Sequence, residues 1–236
     1  MEENIIGFKN NVKIIKEKIE NKRRNKENLD FVKEAIENLM NKLNVEIACI
    51  TGSFTHEFSF DKDIDLMFVS ENDKLWINLF KCFVITRAWK IKGLKLNFCV
   101  TYAVTRNKFI NEIIGIRDPL VMHDLLKALP IKGKDKYYGL LILSPKIKEI
   151  FEPNFNIKNK TIFNEEKSNP FFITFNIIFY IILFIYLNIK KMISNLHLIK
   201  NKSYINVFTL KIGISHYMIN SLKYEILKRK FKEIFI

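Results

Sequence analysis

Two short apolar runs, a turn and an acidic pair restrict this chain more tightly than anything else in it. Ile47-Ala48-Cys49-Ile50 has the length and composition of a buried strand, and Thr51-Gly52-Ser53 ends it as a turn. Nine residues later Asp63-Ile64-Asp65-Leu66-Met67-Phe68-Val69 begins with alternation, which predicts a second strand with both carboxylates on one face. Two carboxylates a few ångströms apart on one strand can clamp a hard divalent cation. A glycine and a hydroxyl one strand away offer backbone amides and a donor to a phosphate.

The surrounding pattern alternates helices with these strands. Ile5, Ile6, Phe8, Val12, Ile15 and Ile19 recur at helical spacing among lysines and glutamates, so an N-terminal amphipathic helix and a basic loop fill residues 1 to 27. A second helix is expected over 27 to 43, with Leu29, Val32, Ile36, Leu39 and Leu43 on one face. A third runs from Leu75 to Lys90, and Lys95 to Tyr102 alternates as a third strand. A fourth helix covers Arg106 to Ile114. Asp118-Pro119 then fits a helix start, with Asp as the cap and Pro in the first turn. That helix stops near Pro130 and a turn follows over 132 to 135, while 137 to 151 is ambiguous because Pro145 interrupts it. Residues 152 to 170, rich in Asn, Lys and Glu, read as a linker.

With this context, the chain resembles the nucleotidyltransferase superfamily of DNA polymerase beta. The likeness is to its minimal, antitoxin-like branch. It rests on Gly52-Ser53, the nine-residue interval, Asp63-Ile64-Asp65 and the flanking elements, and on Arg117-Asp118-Pro119-Leu120 with Ile131-Lys132-Gly133 as a closing helix and turn. It covers roughly residues 28 to 145, within an expected nucleotidyltransferase domain of 28 to 151. The resemblance implies an α+β fold, a small mixed sheet flanked by helices. It implies magnesium-dependent transfer of a nucleoside monophosphate, AMP from ATP or another nucleotide, to a protein, RNA or small-molecule acceptor. Two magnesium ions would be held by three carboxylates, with Asp63 and Asp65 the first two. Gly52 and Ser53 would hold the triphosphate.

The third carboxylate of that pattern belongs on the third strand, where this sequence has Asn97 between Leu96 and Phe98. Asparagine can coordinate through its carbonyl oxygen but brings no charge and cannot act as a base. Three readings stay open: a degenerate fold that only binds nucleotide or a partner, an enzyme working with two carboxylates, or a different strand register. His56 and Lys62 lie in the loop before Asp63 and are read as solvated; His123 falls on a helix with no assigned task. His216-Tyr217, after Lys211, only partly matches the Arg-x4-His-x-Tyr motif of HEPN ribonucleases and is not read as one.

Composition bears on partners and compartment. The net charge of +14 permits phosphate-bearing partners or a membrane surface. Lysine is spread along the whole chain, however, and no DNA-binding motif is visible. Cys49, Cys82 and Cys99 sit in apolar runs without metal-ligand spacing, as buried thiols of a reducing compartment do. The N-terminus has no signal-peptide pattern. Residues 171 to 236 are expected to be helical. Within them 171 to 189 is apolar enough either to cross a membrane or to form the buried centre of a small bundle covered by the amphipathic run from Tyr204 to Phe235. The protein would then be cytoplasmic, or anchored to the membrane with its nucleotidyltransferase domain in the cytoplasm.

Overall fold

A computed structural model describes residues 27, 29–52, 54–57, 63–93, 96–116, 118–151, 169–200, 208–221, 225–226 and 229. The N-terminal helix expected over 3 to 20 and most of the 152 to 170 linker fall outside them. Helix α1 (29–42) leads into β1 (Val45–Thr51), a short α2 (Phe54–Glu57) and β2 (Ile64–Ser70). Then come α3 (Leu75–Ile91), β3 (Phe98–Thr105), α4 (Arg106–Ile114), α5 (Pro119–Lys127), β4 (Leu129–Lys132), α6 (Lys134–Leu141) and α7 (Pro145–Phe151). Helix α8 (Pro170–Lys200) and the strands β5 (Phe208–Gly213) and β6 (His216–Ser221) complete the described chain.

The architecture is α+β, built on one six-stranded mixed sheet in the order β4-β1-β2-β3-β6-β5. Strand β2 pairs antiparallel with β1 and parallel with β3, and the other neighbours are antiparallel. The parallel pair needs a crossover, which α3 supplies. Strands β1 and β2 lie inside the sheet, paired on both sides, because both their faces are largely apolar: only Glu46, Thr51 and Asp65 escape full burial.

Two cores lie on the two faces of the sheet. On the first face Val32, Ile36 and Leu39 of α1, and Leu75, Trp76 and Leu79 of α3, cover Ile50, Leu66 and Val100. Helix α8 joins this face through Leu183 and Leu187. On the second face Phe109, Met122, Leu125, Tyr137 and Leu140, from α4, α5 and α6, cover Ile47, Cys49, Met67 and Val69.

The second, third and fourth expected helices are found within a residue or two. At α5, Asp118 Oδ1 accepts from the Leu120 amide, with Pro119 in the first turn. Three expectations are corrected. The helix before Pro130 ends at Lys127, as expected, but residues 129–132 then pair with β1 as a strand, β4, and α6 begins at Lys134 in place of a turn over 132 to 135; Pro130 has no amide to donate and sits on a sheet edge, where none is needed. The third strand starts at Phe98, three residues later than expected. The region 171–236 is not all helical: 208–221 is a β-hairpin whose strand β6 extends the sheet from β3. Period-2 alternation in Phe208-Thr209-Leu210-Lys211-Ile212 won over the helical reading.

Candidate functional site

The acidic pair lies at one end of the sheet's second face, beyond the helices that cover the rest of it. In the strand registers Thr51 of β1, Asp65 of β2 and Cys99 of β3 stand side by side. Thr51 Oγ1 donates to the Asp65 carbonyl oxygen (3.4 Å) and lies 3.5 Å from Thr101 Oγ1, which donates to Leu66 O (3.3 Å). Thr101 is the extra residue of a bulge, since Leu66 pairs with Val100 but Met67 with Tyr102.

Gly52 follows directly on β1 with φ of +71°. A Cβ there would fall 2.0 Å from Asp65 Oδ2, so the backbone passes against the carboxylate. The Gly52 carbonyl accepts from the Thr55 amide (3.3 Å) and hydroxyl (2.7 Å), which turns the chain into α2. Ser53 and Lys62, and the side chain of His56, lie outside the described residues.

Asp63 is exposed and Asp65 half-buried. Burial, with the Asp63 charge adding to it, pushes the Asp65 carboxyl up to about 6. Two like charges, one of them partly desolvated, form a donor set that fits a divalent cation. Among the described residues, however, no group of three or more His, Cys, Asp or Glu is placed to hold a metal. Asp61, two residues before Asp63 in the sequence, lies outside the described residues.

Asn97 sits just before β3, exposed. Its carbonyl accepts from the Ile64 amide (2.8 Å), and its Oδ1 accepts from Lys90 Nζ at 3.2 Å. Continuing the register places it beside Asp63. The residue opposite Asp65 in the register is Cys99, which the sequence alone marks only as a buried thiol. Its thiol is pushed up to about 11 by burial and by the Asp65 and Asp63 charges, with Lys190 opposing. All three cysteines are free.

The weaker candidates lie elsewhere. His123 is exposed on α5 beside Asp124. His216 pairs with Val104 on the sheet, with Nδ1 buried and lacking a hydrogen-bond partner among the described residues. Tyr217 is buried, its ring 6.2 Å from that of Phe83. Comparison with protein-family models, with curated proteins and with solved structures found no match.

Proposed function

We propose that this chain is a nucleotidyltransferase-like protein that transfers a nucleoside monophosphate, AMP from ATP on the simplest reading, to a hydroxyl or amine of a protein, an RNA or a small molecule. The observation that carries this reading is the junction of Asp63, just before β2, and Asp65 on β2 with the Gly52 turn after β1, which the strand register brings against Asp65. Thr51 and the bulge at Thr101 fix the backbone beneath that carboxylate. Asp63 and Asp65 are the residues that would hold magnesium. When bound, the ion compensates charge at the α-phosphate and makes an acceptor hydroxyl more acidic. In the transfer, the acceptor's oxygen or nitrogen bonds to the α-phosphorus and gives up its proton to solvent, while the bond to the bridging oxygen breaks and pyrophosphate leaves. Gly52 and Ser53 would position the triphosphate. A triphosphate substrate sets the place of action in the cytoplasm or at the cytoplasmic face of a membrane.

A second reading has its own support. With Cys99 opposite Asp65 and Asn97 engaged by Lys90, β3 supplies no carboxylate, as a degenerate fold that only binds a nucleotide or a partner would have it. One experiment separates the two. The purified chain is incubated with Mg²⁺ and α-labelled ATP, CTP, GTP or UTP, with cell protein and RNA as acceptors, beside Asp63→Ala/Asp65→Ala. Label transferred by the wild type and lost in the double variant supports the enzyme. Nucleotide binding without transfer supports a nucleotide-binding module; neither binding nor transfer removes the enzyme and the nucleotide-binding module and leaves only a partner-binding fold.

A further inference from the structure

Helix α8 is the largest feature that a nucleotidyl-transfer site leaves unexplained. From Pro170 to Ile189 it has no charged residue, and by length and composition it is the one described helix able to cross a membrane. Yet it is fastened to the domain along its length. Asn176 Oδ1 accepts from the Trp76 amide (2.7 Å), Phe179 stacks on Phe80 (4.6 Å between ring centres) and Tyr180 meets Trp76 edge-on (5.0 Å). Leu183 and Leu187 are buried in the first core. Asn195 exchanges two hydrogen bonds with the Phe208 backbone.

These attachments run from Asn176 to Asn195, roughly 28 Å of helix at about 1.5 Å per residue. A spanning helix needs about 30 Å of lipid-facing length. It would therefore have to give up nearly all of these contacts, exposing Trp76 and Phe80. The docked stripe is narrow, and the rest of the surface is apolar and open: Phe175, Ile178, Ile182, Ile185, Ile189 and Met192 are each about two-fifths to three-fifths exposed.

The charge of the segment that carries this face, in sequence, bears on what covers it, although Lys211 within it pairs with Glu225 at 3.8 Å. Between Pro170 and Tyr224 there are six lysines (190, 191, 200, 202, 211 and 223) and no Asp or Glu. A second copy would bring the same lysine-only segment against itself. An anionic lipid surface complements it: the apolar side chains enter the acyl boundary, Lys191 at the end of the uncharged stretch reaches the headgroups, and the chain's net charge of +14 favours the same surface.

We infer that α8 lies flat on an anionic membrane surface, still docked to α3, and holds the sheet domain there without crossing. The test is sedimentation of the full chain with vesicles of phosphatidylcholine containing about a third phosphatidylglycerol, against phosphatidylcholine alone. Binding at least tenfold stronger to the anionic vesicles, released by alkaline carbonate and lost in Ile178→Glu/Ile182→Glu/Ile185→Glu, is the expected result. The three positions are exposed, so the variant should keep the wild-type circular dichroism and melting. Should it not fold, a fluorophore on Ile182→Cys of the full chain reads the same contact, as a blue shift on anionic vesicles only. Resistance to carbonate would overturn the inference in favour of a spanning helix. Failure to bind vesicles, or no shift of the label, with a dimer by light scattering would overturn it in favour of a second copy; the same failure in a monomer overturns it outright. Nucleotidyl transfer does not enter these readouts, so either idea can fail alone.

Discussion

Gly52 shows how much one position can carry. The turn requires a positive φ, and the Asp65 carboxylate occupies the space a side chain would need. Gly52→Ala therefore meets backbone strain and a steric clash together, and should cost about 1–3 kcal/mol in urea unfolding. Asp65→Ala should recover part of that cost in the double variant, and strict additivity of the two changes would contradict the contact. Asp65 itself makes a second prediction. In the unfolded chain it loses its proton near the ordinary 3.8, but the folded protein holds the proton to about 6. The folded state thus binds more protons in between. Its stability is unpenalised below pH 4, falls as the pH rises toward 6, and stays lower above that. At about 1.4 kcal/mol per unit the difference approaches 3 kcal/mol at most. Urea unfolding in EDTA between pH 4 and 7 should show this decline in wild type and a flatter profile in Asp65→Asn; Mg²⁺ should shrink the wild-type decline. Parallel profiles would mean Asp65 is not desolvated. The acidic pair was legible in the sequence because alternation on a strand is a local rule. Cys99 as its neighbour was not, because the register of β3 against β2 is set by long-range pairing that no local pattern records.

At the scale of elements, α3 begins without a cap from its own sequence: Lys74 stands at the cap position and makes no side-chain capping bond, its ammonium going to Glu71 instead. The Trp76 amide is one of the unpaired donors of the first turn, and Asn176, a hundred residues away, takes it. A polar break in an apolar run thus caps another helix at a distance. Asn176→Ala should destabilise the protein by about 1–2 kcal/mol and expose the first turn of α3 to amide exchange. Unchanged exchange at Trp76 would remove Asn176 from the capping role. Helices α1, α3, α4 and α5 could be read from the sequence because their signals, apolar spacing and the Asp118-Pro119 start, are contained within them. The partner of Asn176 could not, since nothing local distinguishes a distant cap from a break in a membrane helix. Strand β4 was hidden for a related reason: four residues are too few for a period to show, and pairing with β1 decides them.

For the whole molecule, the question is whether residues after the linker form a separate part. The sheet says otherwise. Strand β6 bonds to β3 through Tyr102, Ala103 and Val104, and Thr105 N donates to Ser215 O (2.9 Å). Trp76 Nε1 donates to Ile214 O (2.9 Å), tying the same hairpin to α3. Cys82 is fully buried in the first core, which Leu183 and Tyr217 help to close, and burial raises its thiol to about 12. A chain ending at Asn169 would lose all of these and leave β3 as an open edge beside exposed aromatic side chains. The full chain should therefore unfold in one transition, with circular dichroism and Cys82 labelling changing together. The chain ending at Asn169 should label Cys82 at least a hundredfold faster in native buffer and aggregate on concentration. If it instead stays monomeric with Cys82 protected, the sheet closes without β6 and α8 is an appendage. In that case its apolar face would be free to leave the domain and cross a bilayer.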